Sequence, residues 1–518
     1  MLLVGWLLAC GTEPASLARP ALPSVPAVSP APPTPGAPAT PAVERPNFLV
    51  VDIDSLRADR LDAEVDGQAV MPNVRRLMER GTTFTHAIAQ SGWTVPGLTS
   101  ILTGRWPVAV NVGAEATPLL PKDARLFPEI LSLYGYETTG VWGKGVESGF
   151  AELSRGFTTR LARDGALGQT ADDLAAYAPW LTTNRREPFL LFLHEFDAHV
   201  PGPWFSAAHG HSLGSEGYTC PDGDLRPVFE GLLAQGVSRE AAMAHALRHY
   251  DGVLHGYDAL LGALLGRMDA AGLLAHTVVI VTSNHGEDFG EHGAGIKHGA
   301  LYDTTLRVPF VVAGPGIRRG ARIDLPVQGI DLSPTVLALA HVPAEREVNG
   351  VSLATILAGE APAAALLDRP AFVFTNERNV AVRTPTRKLL LTDEPLEPDG
   401  PPPMPPGPPP STGTPPPPGA TPDAQGRRLP TAERAGVSRY ELYDLVADPR
   451  EQTDLYAPGA AADLLDALEA FRDARVAEGA ASDTTRVDDT LRRDVQAHGY
   501  WEVAGGGATP PPARGAGQ

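Results

Sequence analysis

Cysteine is almost missing from this chain: Cys10 and Cys220 are the only two in 518 residues, so a disulfide framework is not what stabilises it. Long apolar runs are missing too, and no stretch approaches the ~20 consecutive apolar residues of a membrane span. Basic residues are outnumbered, 42 Lys and Arg against 61 Asp and Glu, and the resulting net charge of −19 argues against a nucleic-acid partner. That acidity suits a protein that gathers metal cations.

What remains is a globular composition, 43% hydrophobic and 20% charged, in a chain long enough for one large domain or two. Proline and glycine exceed their usual share, at 52 and 54 residues. Much of that surplus falls in two Pro-rich tracts. The first, residues 11–46, mixes Pro, Ala, Ser, Thr and Val without periodicity and reads as a stiff tether. It follows Met1 to Ala9, a short apolar start ending Leu7-Leu8-Ala9-Cys10, which resembles a bacterial lipoprotein signal (residues 1–10) whose Cys is lipidated, though no Lys or Arg precedes the apolar run. The expectation is a signal-bearing lipoprotein, membrane-anchored through its lipid, in the extracytoplasmic cell envelope. The second tract, 395–430, interrupts a C-terminal subdomain at 371–480 and reads as a surface insertion, because Tyr440-Glu441-Leu442-Tyr443-Asp444-Leu445 resumes a strand-like pattern beyond it. Residues 481–518 read as a terminal helix and a disordered tail.

Between the tracts, 47–370 reads as the main domain. Asn47-Phe48-Leu49-Val50-Val51-Asp52-Ile53-Asp54, Thr138 to Trp142, Phe189 to Leu193, Thr277 to Thr282 and Val308 to Ala313 are short β-branched or apolar runs, as in strands covered on both faces. Helical spacing marks Met71 to Gly81, Leu126 to Tyr134, and Leu247 to Met268, and Asp331 opens another helix. Ala381 to Leu391 reads as one strand of a smaller sheet. Alternating strands and helices predict an α/β fold with a largely parallel sheet, and the polar clusters all sit at strand C-terminal ends.

One stretch organises the rest: Trp93-Thr94-Val95-Pro96-Gly97-Leu98-Thr99-Ser100-Ile101-Leu102-Thr103-Gly104. It reads as a hydroxyl on a tight turn, a Pro, and a short helix closed by Gly. A hydroxyl at a helix N-terminus meets unpaired N–H groups and a positive dipole end, where an anion is favoured. Asp52 and Asp54, two apart on a strand, point to one face.

With Asn47 to Asp54 before it and Thr277 to His298 after it, this stretch resembles the sulfatase branch of the alkaline-phosphatase superfamily, over Asn47 to about Leu455. The resemblance implies a central, mostly parallel sheet flanked by helices, with a smaller C-terminal α+β subdomain. It also implies a divalent metal, Ca or Zn/Mn, held by Asp54, Asn284 and His285, with Asp52 as a further candidate; Ser55 and Asn284 stand where relatives carry acids. Calcium favours oxygen donors and the His favours zinc. His298, or its neighbour Lys297, matches the substrate-contacting Lys, Lys144 the residue that orients the leaving oxygen, and His199 the candidate general acid.

Thr94 occupies the position where relatives oxidise Cys or Ser to formylglycine. A secondary alcohol can only give a ketone, and Gly97 and Leu98 replace the Ser and Arg of the maturation motif, so no formylglycine is expected. The reading is a metal-dependent hydrolase of sulfuric or phosphoric esters with an unmodified Thr94 nucleophile, a phosphotransferase being a variant of the same chemistry. Its substrate is a sulfated or phosphorylated glycan or lipid. The alternative is a catalytically degenerate lipoprotein of the same fold that binds an anionic glycan or lipid. Ser55, Leu98, Val146 and Asn284 favour that second reading.

Overall fold

The computed structural model describes residues 45–110, 120–121, 124–142, 151–162, 187–196, 198–199, 226–293, 296–343, 348–376, 379–392 and 439–481. The lipoprotein-type start, Cys10, Cys220, most of both Pro-rich tracts and the tail beyond Ala481 lie outside the described residues.

The strand-like runs form strands. In chain order the main sheet is built from β1 (Asn47–Ile53), β2 (Gly81–Ile88), β3 (Glu137–Trp142), β4 (Thr159–Ala162), β5 (Phe189–Glu195), β6 (Thr277–Thr282), β7 (Arg307–Val308), β8 (Phe310–Ala313) and β9 (Ala321–Gln328). The order across the sheet is β7-β2-β8-β6-β1-β5-β3-β4, with β9 also on β2. β1 is parallel to β5 and β6, and β3 to β4 and β5, whereas β8 runs antiparallel to both β6 and β2. The sheet is therefore mixed and mostly parallel. Pro309, which has no N–H to donate, separates β7 from β8.

Alternation along each strand sends side chains to two cores. Phe48, Val50, Leu190, Phe192, Val278 and Ile280 pack with one set of helices. Leu49, Val51, Leu191, Leu193, Val279 and Val281 pack with the other. The first face carries α2 (Thr94–Thr103) through Leu98, Ile101 and Leu102. The second carries α1 (Pro72–Arg80) and the 32-residue helix Arg239–Ala270. Asp258 on that helix accepts the Asn73 and Val74 N–H groups at 2.8 and 2.9 Å, capping α1, and Asp251 pairs with Arg60 at 3.2 Å.

Three expectations change. The long helix begins at Arg239, not Leu247, because Ser238 caps it by accepting the Ala241 N–H. Gly81, read as the close of a helix, instead starts β2, an eight-residue strand near one edge that no apolar run announced. Ala381 to Leu391 is not one strand but two, Asn379–Arg383 and Arg387–Thr392, which pair antiparallel across a turn. With Ala371–Asn376 and Arg439–Asp444 they make a separate four-stranded sheet, covered by the helix Ala462–Ala481.

Candidate active site

The strand register assembles the site. Asp52 lies level with His194 on β5 and with Thr282 on β6, and the Asp54 N–H still donates to Glu195 O at 2.8 Å. Two residues past those partners, the carboxyl ends of β1, β5 and β6 bring Asp54, Phe196 and Asn284 to one rim. Ser55, next to Asp54, is held at φ +62°, a conformation costly for a non-glycine residue. Tyr250 fixes it by donating to Ser55 O at 2.6 Å, and the Leu56 N–H donates to Ser283 Oγ at 3.1 Å. Arg57 ties the same loop to Asp59 at 2.9 Å and Glu291 at 2.6 Å.

Thr94 is the first residue of α2 and is buried. Its Oγ1 lies 3.2 Å from Asp54 Oδ2 and 3.1 Å from His285 Nε2. What allows this approach is Gly97, one turn into the helix. A Cβ there would sit 2.5 Å from Asn284 O, so only glycine lets α2 rest against the segment that carries Asn284 and His285. Gly104, at φ +69°, closes the helix in the left-handed conformation.

His285 Nδ1 faces its neighbour's carbonyl, Gly286 O, at 2.8 Å, which makes Nδ1 the protonated nitrogen. Burial lowers the pKa of His285, so the ring is neutral at pH 7 and Nε2 carries a lone pair. That lone pair faces Asp54 Oδ1 at 3.1 Å. Burial opposes ionisation of Asp54, yet the histidines around it, His285, His199, His194 and His298, bring it down to about 2. Two acceptors thus confront each other across a short gap, which is the arrangement a cation relieves.

Among the described residues no group of three or more His, Cys, Asp or Glu is arranged to hold a metal ion. The donors here are two of those, Asp54 and His285, with the amide of Asn284, whose buried side-chain oxygen and nitrogen have no partner. A carboxylate, an imidazole with its free nitrogen inward and an orphaned amide oxygen fit one divalent cation of mixed N/O preference.

Beyond Asp54, the structure places Asp52 against His194, at 2.8 Å, with both side chains fully buried. The His298 ring lies 5.3 Å from that of His285, 4.7 Å from His199 and edge-on to Trp93 at 4.5 Å. His199 stacks on Phe196 at 4.4 Å. Glu287 Oε2 lies 3.4 Å from Ser55 Oγ and 3.7 Å from His298 Nδ1. Lys144 lies outside the described residues, and Lys297 belongs to the two-residue strand Ile296–Lys297. Sequence pattern alone does not mark His194. Its Nε2 lies 3.7 Å from Asp54 Oδ2. Burial pushes Asp52 up to about 6, although His194 and the Asn284 N–H pull the other way. Burial would lower His194, but the hydrogen bond and charge of Asp52 raise it.

The family model described as Sulfatase matches residues 46–342, more than half of the chain. An ulvan-active sulfatase of Formosa agariphila is 25% identical over 365 residues, covering 64% of this chain and 68% of its own. A structure solved with its substrate D-glucosamine-2-N,6-O-disulfate superposes with a TM-score of 0.59 at 19% identity, over 83% of this chain and 98% of its own. The phosphonate monoester hydrolase of Silicibacter pomeroyi does so with 0.59 at 17% identity, over 84% and 96%.

Proposed function

The chain belongs to the sulfatase family of the alkaline-phosphatase superfamily and is an ester hydrolase, and on that premise we propose that it cleaves sulfuric or phosphoric esters with Thr94 as an unmodified nucleophile. The observation that carries the proposal is the Thr94 hydroxyl, buried at a helix N-terminus within 3.2 Å of Asp54 and 3.1 Å of His285. Positive charge at that end and the surrounding histidines favour a bound oxyanion. A divalent cation held by Asp54, Asn284 and His285 would lower the hydroxyl pKa and draw charge from the ester oxygens.

Thr94 Oγ1, its proton released to water, forms a bond to sulfur or phosphorus as the bond to the leaving oxygen breaks. His199, beside His298, supplies the proton that the departing alkoxide takes. Water then hydrolyses the Thr94 ester, releasing sulfate or phosphate and restoring the hydroxyl. The substrate class that fits is a sulfated or phosphorylated glycan or lipid, in keeping with the ulvan-active relative.

The test is purified full chain with measured bound metal, assayed on an aryl sulfate, a phosphate monoester and a phosphodiester. Turnover of at least one, lost on chelation and reduced ~10³-fold or more in Thr94→Ala, supports the proposal; removal of a catalytic nucleophile has effects of that order or larger. Turnover that survives Thr94→Ala refutes the nucleophile. Absence of both metal and turnover favours the reading as a binding protein for anionic glycan or lipid.

A further inference from the structure

Asp52 and His194 sit one layer behind the reacting groups, wholly inside the protein. We infer that they form a positioning dyad, Asp52 fixing the His194 ring so that its Nε2 steers the Asp54 carboxylate toward Thr94; the inference rests on the proposed role of Thr94 and Asp54. Alternation along β1 puts Asp52 and Asp54 on one face, and the β1–β5 register sets His194 level with Asp52. His194 Nδ1 meets Asp52 Oδ2 at 2.8 Å and Nε2 faces Asp54 Oδ2 at 3.7 Å, an ion-pair distance longer than a hydrogen bond. That same Oδ2 is the oxygen that receives the Thr94 hydroxyl at 3.2 Å.

Geometry assigns the protons. Nδ1 must donate, because Asp52 can only accept at that contact. Nε2, which has no hydrogen-bond partner, is left facing the Asp54 carboxylate, so a ring orientation set at Asp52 is felt at Asp54. The Trp142 and Phe196 rings lie beside the imidazole, tilted, with centroids 6.0 and 6.3 Å away. Asp52 is therefore not a donor to a bound cation in this arrangement but the residue that aims its neighbour. Groups that orient a ligating or reacting side chain in this way typically contribute ~10–100-fold to affinity or activity.

The experiment is a double-mutant cycle in the full chain, read as kcat and KM on whichever ester the wild type hydrolyses, with metal affinity measured in parallel by titration calorimetry. Asp52→Asn and His194→Gln are each expected to lower kcat ~10–100-fold with KM changed little. The double variant should be no worse than the weaker single, since both remove one device. Effects that multiply, or an Asp52→Asn that loses metal affinity equally with and without His194, make Asp52 an independent ligand and overturn the inference. A second arm does not depend on turnover or on the variants folding: a crystal structure of the wild type with its metal bound should keep Asp52 on His194 Nδ1 and off the cation, and Asp52 coordinating the cation overturns it. A wild type with no turnover fails the proposed function, and the crystallographic arm then judges the dyad alone.

Discussion

Replacing Gly97 by alanine adds one methyl group at the point where α2 leans on the catalytic rim. The new Cβ would lie 2.5 Å from Asn284 O and 3.1 Å from the Asn284 C and Cβ atoms, so restoring ordinary contact at 3.4 Å requires a displacement of about 0.9 Å. The neighbour is backbone and cannot swing away, and the displaced peptide is the one that carries His285. Two stability terms oppose each other: overpacking costs about 1–3 kcal/mol, while replacing a helical glycine by alanine recovers about 1 kcal/mol. The net loss is therefore small, about 0–2 kcal/mol. Catalytic geometry has no such compensation, since a misplacement of ~1 Å costs ~10²-fold. The expected signature is a kcat/KM lowered about a hundredfold in a protein whose urea midpoint shifts only slightly. Steady-state kinetics and urea unfolding on the same preparation read both quantities. A Gly97→Ala variant with wild-type kcat/KM refutes the account of α2 packing. Gly97→Ser, which restores the residue common in relatives, should fall at least as far.

Lys388 is fully buried between Asp303 at 2.9 Å and Glu451 at 2.7 Å, joining the small sheet to the segment after His298. Lys388→Met leaves the buried Glu451 short of its cation, while Asp303 keeps Arg383 at 2.9 Å, and should destabilise by about 3–5 kcal/mol, measured by urea unfolding; a loss below about 1 kcal/mol would show that Glu451 finds another partner. His292 Nδ1 pairs with Asp288 Oδ2 at 2.5 Å, which raises the pKa of His292 against the effect of burial and, in the same way, lowers that of Asp288. A raised histidine contributes stability that is complete below its unfolded value of ~6.5 and fades as pH rises through the folded value, and a depressed carboxylate contributes above ~3.9 and fades as pH falls. Thermal melts of wild type should thus weaken on the alkaline side relative to His292→Gln, and parallel pH profiles would remove the pair from the account.

The strands β1, β5 and β6, the helix that begins at Thr94, and the gathering of Asp54, Asn284, His285, His199 and His298 were legible because each rests on local pattern: an apolar run, a cap, a residue at a run's end. β2 was not, since Gly-Thr-Thr-Phe-Thr-His-Ala-Ile has too few apolar residues in sequence to read as a buried strand, and takes its burial from the neighbours on either side. His194 fails for a related reason. Its meaning comes from standing level with Asp52 across a parallel ladder whose partners are 142 residues apart, and register over that span is written in no local signal. Gly97 shows the converse. As a letter it counts only as a missing serine in a maturation motif, and as a point in space it is the contact that lets Thr94 reach His285. The same substitution that removes one route to a nucleophile therefore makes room for the other, since a helix pushed back by a side chain at 97 would carry the Thr94 hydroxyl away from both groups that activate it.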